Sequence, residues 1–279
     1  MSDKSYMLLR FPNFRFKALT LSYDDGPKED KELIRIMSEN GLKGTFNLNT
    51  FHLERFHDEY LIHAQDAVDL YLKSGNEVAI HGYKHLHLSE LDEAMATAEV
   101  LMDRQCHEKL FGVPVQGMAY AYCSYNASVM EILKKCGVLY ARIGGGTGNF
   151  SLPTDWLQWA PTCHHNHPQL MEIADRFLED ADGMLWKTRP RLLYVWGHSN
   201  EFRKNNNWDV MEKFAKYMGN REDVWYATNM EIFQYVRAFE RLEFGANGDF
   251  VYNPSCLDVY MNYYGKQVVV PAGQTASLV

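Results

Sequence analysis

Short apolar, β-rich runs alternate with stretches of helical periodicity for most of this 279-residue chain. That alternation restricts the fold more than any other feature of the sequence. Residues 16–23, 44–48, 77–80, 117–122, 140–143, 157–159, 191–196 and 224–227 read as strands. Between them, residues 28–40, 58–74, 89–110, 128–136, 169–180, 208–218 and 230–241 read as helices, three of them stopping at Gly41, Gly75 and Gly137. Ser89, with Asp92 three residues on, reads as the cap of the longest helix. Strands that each hand over to a helix pair in parallel, because a parallel neighbour requires a crossover connection. About seven such units over roughly 240 residues suit an α/β fold of the irregular (β/α) barrel type, seven-stranded, better than an open sheet. From residue 244 the pattern changes to short strand-and-turn runs at 251–255, 258–260 and 267–273. The expected organisation is a barrel domain over 1–243 and a short β-rich C-terminal extension over 244–279 packed on it.

Charge narrows the partners. Lys and Arg number 28 against 36 Asp and Glu, a net charge of -8, and there is no basic run. Nucleic acid and anionic membrane are therefore poor partners, since both need a surface that neutralises phosphate. No stretch approaches the roughly 18 apolar residues that span a bilayer. Residues 1–10 hold no long apolar core and no small-residue cleavage site, so a secretory leader is not expected there. The five cysteines (106, 123, 136, 163 and 256) form no C-x-x-C pair, which fits reduced thiols and a cytoplasmic location. Gly144-Gly145-Gly146-Thr147-Gly148 reads as a flexible loop, not a phosphate loop, because no Lys follows it. The aromatic content, 14%, serves either a ligand cleft or core packing.

Polar residues gather where the predicted strands end: Asp24, Asp25, His81, Tyr122 and His198. In parallel α/β folds those carboxyl ends are where sites form. Asp24-Asp25-Gly26-Pro27 is turn-forming chemistry. It is also a pair of carboxylates which, if aimed at one place, require a cation or a partner. His81 and His85 stand four apart, a spacing that turns two imidazoles the same way. Joined to an Asp from a neighbouring strand end they form a three-ligand set, with a position left for water. Cys163-His164-His165-Asn166-His167 is a second His-rich stretch, suited to a metal, to sugar hydroxyls or to solvent. Glu201, three residues after His198, reads as a surface charge or as support for that imidazole.

Leu21-Ser22-Tyr23-Asp24-Asp25-Gly26-Pro27 resembles the T-F-D-D-G-P signature of the polysaccharide deacetylase family, the NodB-homology domain of carbohydrate esterase family four. His81-x-x-x-His85 resembles its H-[S/T]-x-x-H motif, with Gly82 at the hydroxyl position. The third motif, R-x-P-Y-G, is matched by Tyr122, whereas Ala119, Ala121 and Cys123 stand at its Arg, Pro and Gly. Thr154-Asp155-Trp156 resembles the fourth motif, and the run 193–199, ending in His198-Ser199, the fifth. The resemblance covers residues 16–240 and implies a hydrolase that removes acetyl groups from an acetylated carbohydrate by N-deacetylation, releasing acetate. The same machinery suits an O-acetyl esterase, and a catalytically weakened sugar-binding homologue is the third possibility. The resemblance implies Asp24 as general base, with Asp25, His81 and His85 holding one divalent ion, zinc first and Co, Mn, Ni or Fe also accepted. It implies the Tyr122 backbone N–H as an oxyanion donor, and His198 as general acid oriented by Asp155. Trp156 would wall the acetyl pocket, and His164 is expected beside it in the substrate cleft. With Ala119 in place of Arg, the base Asp24 lacks the partner that usually orients it.

Overall fold

The strand β2 (Lys17–Asp24) organises the molecule, and all eight of its residues are buried. Its side chains alternate between two interiors, as a strand's period of two dictates. Leu19, Leu21 and Tyr23 join the large apolar cluster beneath the helices. Ala18, Thr20, Ser22 and Asp24 point to the other face, and the polar ones each have a partner there. Thr20 Oγ1 donates to Asn229 Oδ1 at 3.0 Å, and Asn47 Nδ2 donates to Ser22 Oγ at 2.8 Å. A ladder of satisfied polar groups thus climbs the inner face towards Asp24, as buried polar groups require.

The computed structural model describes residues 7–55, 60–179 and 189–279. Its strands are β1 (Met7–Arg10), β2, β3 (Gly44–Leu48), β4 (Glu77–Ile80), β5 (Gly117–Ala119), β6 (Tyr140–Arg142), β7 (Cys163–His164), β8 (Arg191–Gly197) and β9 (Val224–Tyr226), followed by five in the C-terminal part. The helices are α1 (Asp30–Glu39), α2 (Thr50–Arg55), α3 (Ala64–Tyr71), α4 (Glu93–Phe111), α5 (Ala127–Lys135), α6 (Leu170–Leu178), α7 (Asn200–Lys204), α8 (Trp208–Met218) and α9 (Asn229–Glu240). Seven strands run parallel in the order β6-β5-β4-β3-β2-β8-β7, and β9 pairs with the first residues of β2, below β3. This is the expected α/β half-barrel. One short segment links its two edges: Trp159 bridges to Arg142 of β6, and Cys163–His164 pair with Val195 and Trp196 of β8.

Several boundaries differ from the sequence reading for identifiable reasons. The predicted strand 117–122 stops at Ala119 and gives way to a 3₁₀ turn over Ala121–Cys123, in which Tyr122 takes a left-handed φ of 54°. The predicted strand 157–159 is a 3₁₀ turn over Trp156–Gln158. α4 begins at Glu93 and is capped by Asp92, whose Oδ1 accepts from Met95 N at 2.8 Å. Ser89 instead meets the Ser124 hydroxyl at 2.8 Å. The helix predicted over 58–74 is ordered as α3, with residues 58 and 59 outside the described residues, as is Asp180 beyond α6. β7 was not read from the sequence; two residues are too few to show a period.

The C-terminal part holds β10 (Glu243–Phe244), β11 (Phe250–Tyr252), β12 (Val259–Tyr263), β13 (Lys266–Val270) and β14 (Thr275–Ser277). β12 and β13 form a hairpin through Tyr264-Gly265, both at positive φ as a tight two-residue turn demands. β12 also pairs with β1, so residues 7–10 join this sheet and not the barrel. The Tyr235 hydroxyl of α9 donates to Arg10 O at 2.8 Å and accepts from Tyr260 N at 3.0 Å, tying the two parts together.

Asp103 on α4 pins the helix layer to the strand ends. It is fully buried and accepts from Thr50 N at 3.0 Å, Thr50 Oγ1 at 2.6 Å and His81 N at 3.0 Å. Asp103→Ala strands the two Thr50 donors in the interior and is expected to cost about 2–4 kcal/mol in urea unfolding. A loss under about 0.5 kcal/mol, the range of an ordinary surface change, would show that these bonds hold nothing together.

Candidate active site

The carboxyl ends of β2, β4, β6 and β8 surround a cleft of about 1000 Å³ that includes Asp24, Asp25, His81, His85, Tyr122 and His198 in its lining. β2 delivers the two aspartates in different ways. Asp24 is the last strand residue and is buried on the inner face. Asp25 turns out at a left-handed φ of 75°, its N–H bonded to Asn47 O at 3.0 Å. The chain reversal sends the second carboxylate up into the cleft, with Gly26 also at positive φ.

His81 follows β4. Its Nδ1 lies 2.8 Å from the carbonyl of Ala119, so Nδ1 carries the proton and Nε2 presents a lone pair. That Nε2 stands 3.6 Å from Asp25 Oδ1, and His85 Nε2 stands 3.5 Å from the same oxygen. His85 reaches this place through its own left-handed φ of 57°. Burial, reinforced by His81, holds the His85 imidazole below its usual pKa, in the neutral form that ligates metals. Asp25, His81 and His85 therefore form one group with the spacing and donor chemistry of a divalent metal site. Two nitrogens and one oxygen suit zinc-type ions, and the Ala119 carbonyl supplies the second-layer bond such a ligand needs.

Asp24 lies beneath this group. Burial alone would raise its carboxyl, but Arg142, with His81 and His198 adding to it, holds it below the ordinary carboxylate value. An Arg142 Nη donates to Asp24 Oδ2, and Asn47 Nδ2 donates to Oδ1 at 2.8 Å. This is the cation missing from position 119. Ala119 and Arg142 are register partners on β5 and β6, so their side chains leave the sheet at the same level. The guanidinium has moved one strand over. Sequence reading passed over Arg142 because it sits outside every motif, although a charged residue closing an apolar strand (Tyr140–Arg142) was a visible signal.

The remaining predicted residues divide. Tyr122 is at the cleft, left-handed, with its ring stacked on His87 at 4.0 Å and edge-on to His85 at 4.4 Å. Asp25, His85 and Tyr122 are all non-glycine residues at positive φ, a strain that concentrates where a site dictates the backbone. His198 Nε2 lies 3.7 Å from Asp25 Oδ2 and 4.0 Å from Asp24 Oδ2. Burial opposes its charge, but Glu201, Asp24 and Asp25 outweigh burial and raise its pKa above the usual His value.

Three expectations need correction. Asp155 does not orient His198. It is exposed, and its carboxylate caps its own turn by accepting from Leu157 N and Gln158 Nε2, both at 2.9 Å. Trp156 does not wall the cleft. Its ring packs on Trp159 and Phe233 at 4.9 and 5.0 Å, in the inner apolar cluster. The indole that does line the cleft is Trp196, with the Arg142 guanidinium 4.5 Å from its ring centre. His164 is not among the cleft-lining residues; its Nε2 lies 3.2 Å from Glu201 Oε2.

Residues 12–141 match the family model described as polysaccharide deacetylase. A chitin disaccharide deacetylase from Vibrio alginolyticus is 37% identical over 67 residues, 24% of this chain and 16% of that one. A chitin deacetylase from Pestalotiopsis sp is 29% identical over 119 residues, 42% of this chain and 38% of the other. The chain thus spans well under half the length of these relatives. The Xyl-CE4 domain of a multidomain xylanase from the hindgut metagenome of Trinervitermes trinervoides superposes with a TM-score of 0.51 at 15% identity, over 83% of this chain and 99% of that one. The fold is thus a half-barrel of the carbohydrate esterase family four type. The family model spans just under half of the chain, and over those residues the chain is similar to the NodB-homology polysaccharide deacetylases.

Arg142→Ala leaves the Asp24 carboxylate buried without its cation, which is expected to cost about 3–5 kcal/mol of stability. In that background Ala119→Arg, reaching the same carboxylate from β5, is expected to recover part of the loss in urea unfolding. Full stability of Arg142→Ala alone would show that the pair is not what holds Asp24.

Proposed function

We propose that this protein is a metal-dependent hydrolase that removes acetyl groups from an acetylated carbohydrate and releases acetate. The observation that carries the proposal is the convergence of Asp25, His81 and His85 from two different strand ends, directly above the buried Asp24 and open to a cleft. A divalent ion, zinc by preference, would be held by these three residues. Such an ion polarises an acyl carbonyl and brings the pKa of a bound water towards about 7.

The rest of the work belongs to the chain. Asp24, fixed by Arg142 and Asn47, stands ready to accept the proton of an attacking water. The Tyr122 N–H, carried on a left-handed turn at the rim, is the donor offered to the oxygen that becomes negative. His198, its Nε2 4.0 Å from Asp24 Oδ2, gives its proton to the departing nitrogen as the carbon–nitrogen bond breaks. Trp196 forms the apolar wall close to His198, their ring centres 6.1 Å apart. Relatives described as chitin deacetylases support an N-acetylated sugar as substrate. An O-acetyl ester differs only in the atom that His198 protonates.

The test is acetate release from N-acetylglucosamine oligomers and from O-acetylated xylo-oligosaccharides. Activity is expected to vanish with a chelator and return with zinc. Asp24→Asn is expected to lower the rate on the order of 10²–10⁴-fold, the worth of a positioned general base. Equal rates for wild type and Asp24→Asn, indifferent to metal, would overturn the mechanism.

A further inference from the structure

Behind His198, away from the cleft, three imidazoles converge on one carboxylate. Glu201 Oε1 lies 3.4 Å from His198 Nδ1. Its Oε2 lies 3.2 Å from His164 Nε2, 3.1 Å from His165 Nε2, and accepts from Asn166 Nδ2 at 3.3 Å. His165 is held between Tyr23 and Phe202, its ring centre 5.6 and 4.1 Å from theirs, and its backbone N–H donates to Trp196 O at 2.8 Å. Gly197 is what admits it: a Cβ there would stand 2.0 Å from His165 Nδ1.

Two histidines and a glutamate at this spacing also have the donor set of a metal site. The bonding argues for another use. His164 Nδ1 accepts the N–H of Asn166 at 3.1 Å, so the neutral ring carries its proton on Nε2. That Nε2–H is a donor aimed at Glu201, with no lone pair left for an ion.

We infer that Glu201 is the positioning residue for His198, doing from α7 what the sequence assigned to Asp155, and that His164 and His165 tether its carboxylate. Held this way, Glu201 sets a carboxylate oxygen 3.4 Å from His198 Nδ1, which favours a proton on that nitrogen and leaves Nε2 facing Asp24 and Asp25. The tautomer and the ring plane of His198 are then fixed before substrate arrives. The inference rests on the proposed role of His198 as proton donor, but its geometry can be read without turnover.

The experiment uses ¹⁵N-histidine-labelled, zinc-loaded protein and long-range ¹H–¹⁵N correlation of the ring nitrogens, with His198 assigned from His198→Asn. Wild type is expected to carry the His198 proton on Nδ1. Glu201→Gln is expected to shift the ring towards the other tautomer or into averaging. With an acetylated oligosaccharide, its kcat is expected to fall about ten- to a hundred-fold while KM stays within about twofold, the scale on which loss of an outer-layer partner acts. Glu201→Asp, which keeps the charge, is expected to regain much of kcat and guards against a variant that fails to fold. Zinc is expected at one per chain in wild type and Glu201→Gln alike. Unchanged His198 signals in Glu201→Gln, an unchanged kcat, or a second zinc lost with Glu201 would each overturn the inference. If wild type releases no acetate while the ring signals respond as described, the functional reading fails and the positioning role stands.

Discussion

A carboxylate and a guanidinium are costly to bury, and they persist in an interior only where geometry and hydrogen bonding repay desolvation. Asp24 and Arg142, both about 2% exposed, meet that condition at the top of the barrel's inner face. The pair joins β2, at the centre of the sheet, to β6, at its edge. It fixes the ionised state of Asp24, and it sets the level at which Asp25 must leave the strand. Below it, Thr20–Asn229 and Ser22–Asn47 continue the same polar ladder, so the inner face of β2 is specified residue by residue up to the site.

Around that fixed point the site is assembled from segments that have little in common except the place where they end. Asp25, His85 and Tyr122 each take a left-handed backbone to reach the cleft. Asp103 bonds the backbone of the loop that carries His81, and the Asp30 carboxylate, accepting from Ser199 Oγ at 2.5 Å and Tyr71 Oη at 2.7 Å, ties the turn after β2 to the turn after β8. The two halves of the site, metal-type ligands on one side and His198 on the other, are thereby held at a set separation by buried hydrogen bonds. Both line the same cleft.

Much of this was legible in the sequence because it follows from local rules. Strand–helix alternation predicts a parallel sheet, and polar residues at strand ends predict where a site opens; both rest on periodicity and topology. Asp25, His81 and His85 were readable because the motif chemistry sits at those strand ends. What was not legible is long-range substitution. Arg142 lies 118 residues from Asp24 in the chain, and only the register of β5 with β6 reveals that it stands in for the residue absent at Ala119. Asp155 and Trp156 match a motif by letter, yet the turn they occupy sends the carboxylate to cap its own backbone and the indole into the inner core. Glu201 and Trp196 were within three residues of His198, but nothing local distinguishes a half-buried carboxylate set among three histidines from one in solvent. Likewise β7, two residues long, exists only because Thr162–His164 fill the gap beside β8.

The central claim is that Asp25, His81 and His85 together bind one divalent ion. Anomalous diffraction at the zinc edge from crystals grown with zinc tests it most directly. The account predicts a single strong peak about 2.0–2.2 Å from Asp25 Oδ1, His81 Nε2 and His85 Nε2, the range of zinc–nitrogen and zinc–oxygen bonds. An empty position there, with the ion seated instead on His164, His165 and Glu201, would contradict it.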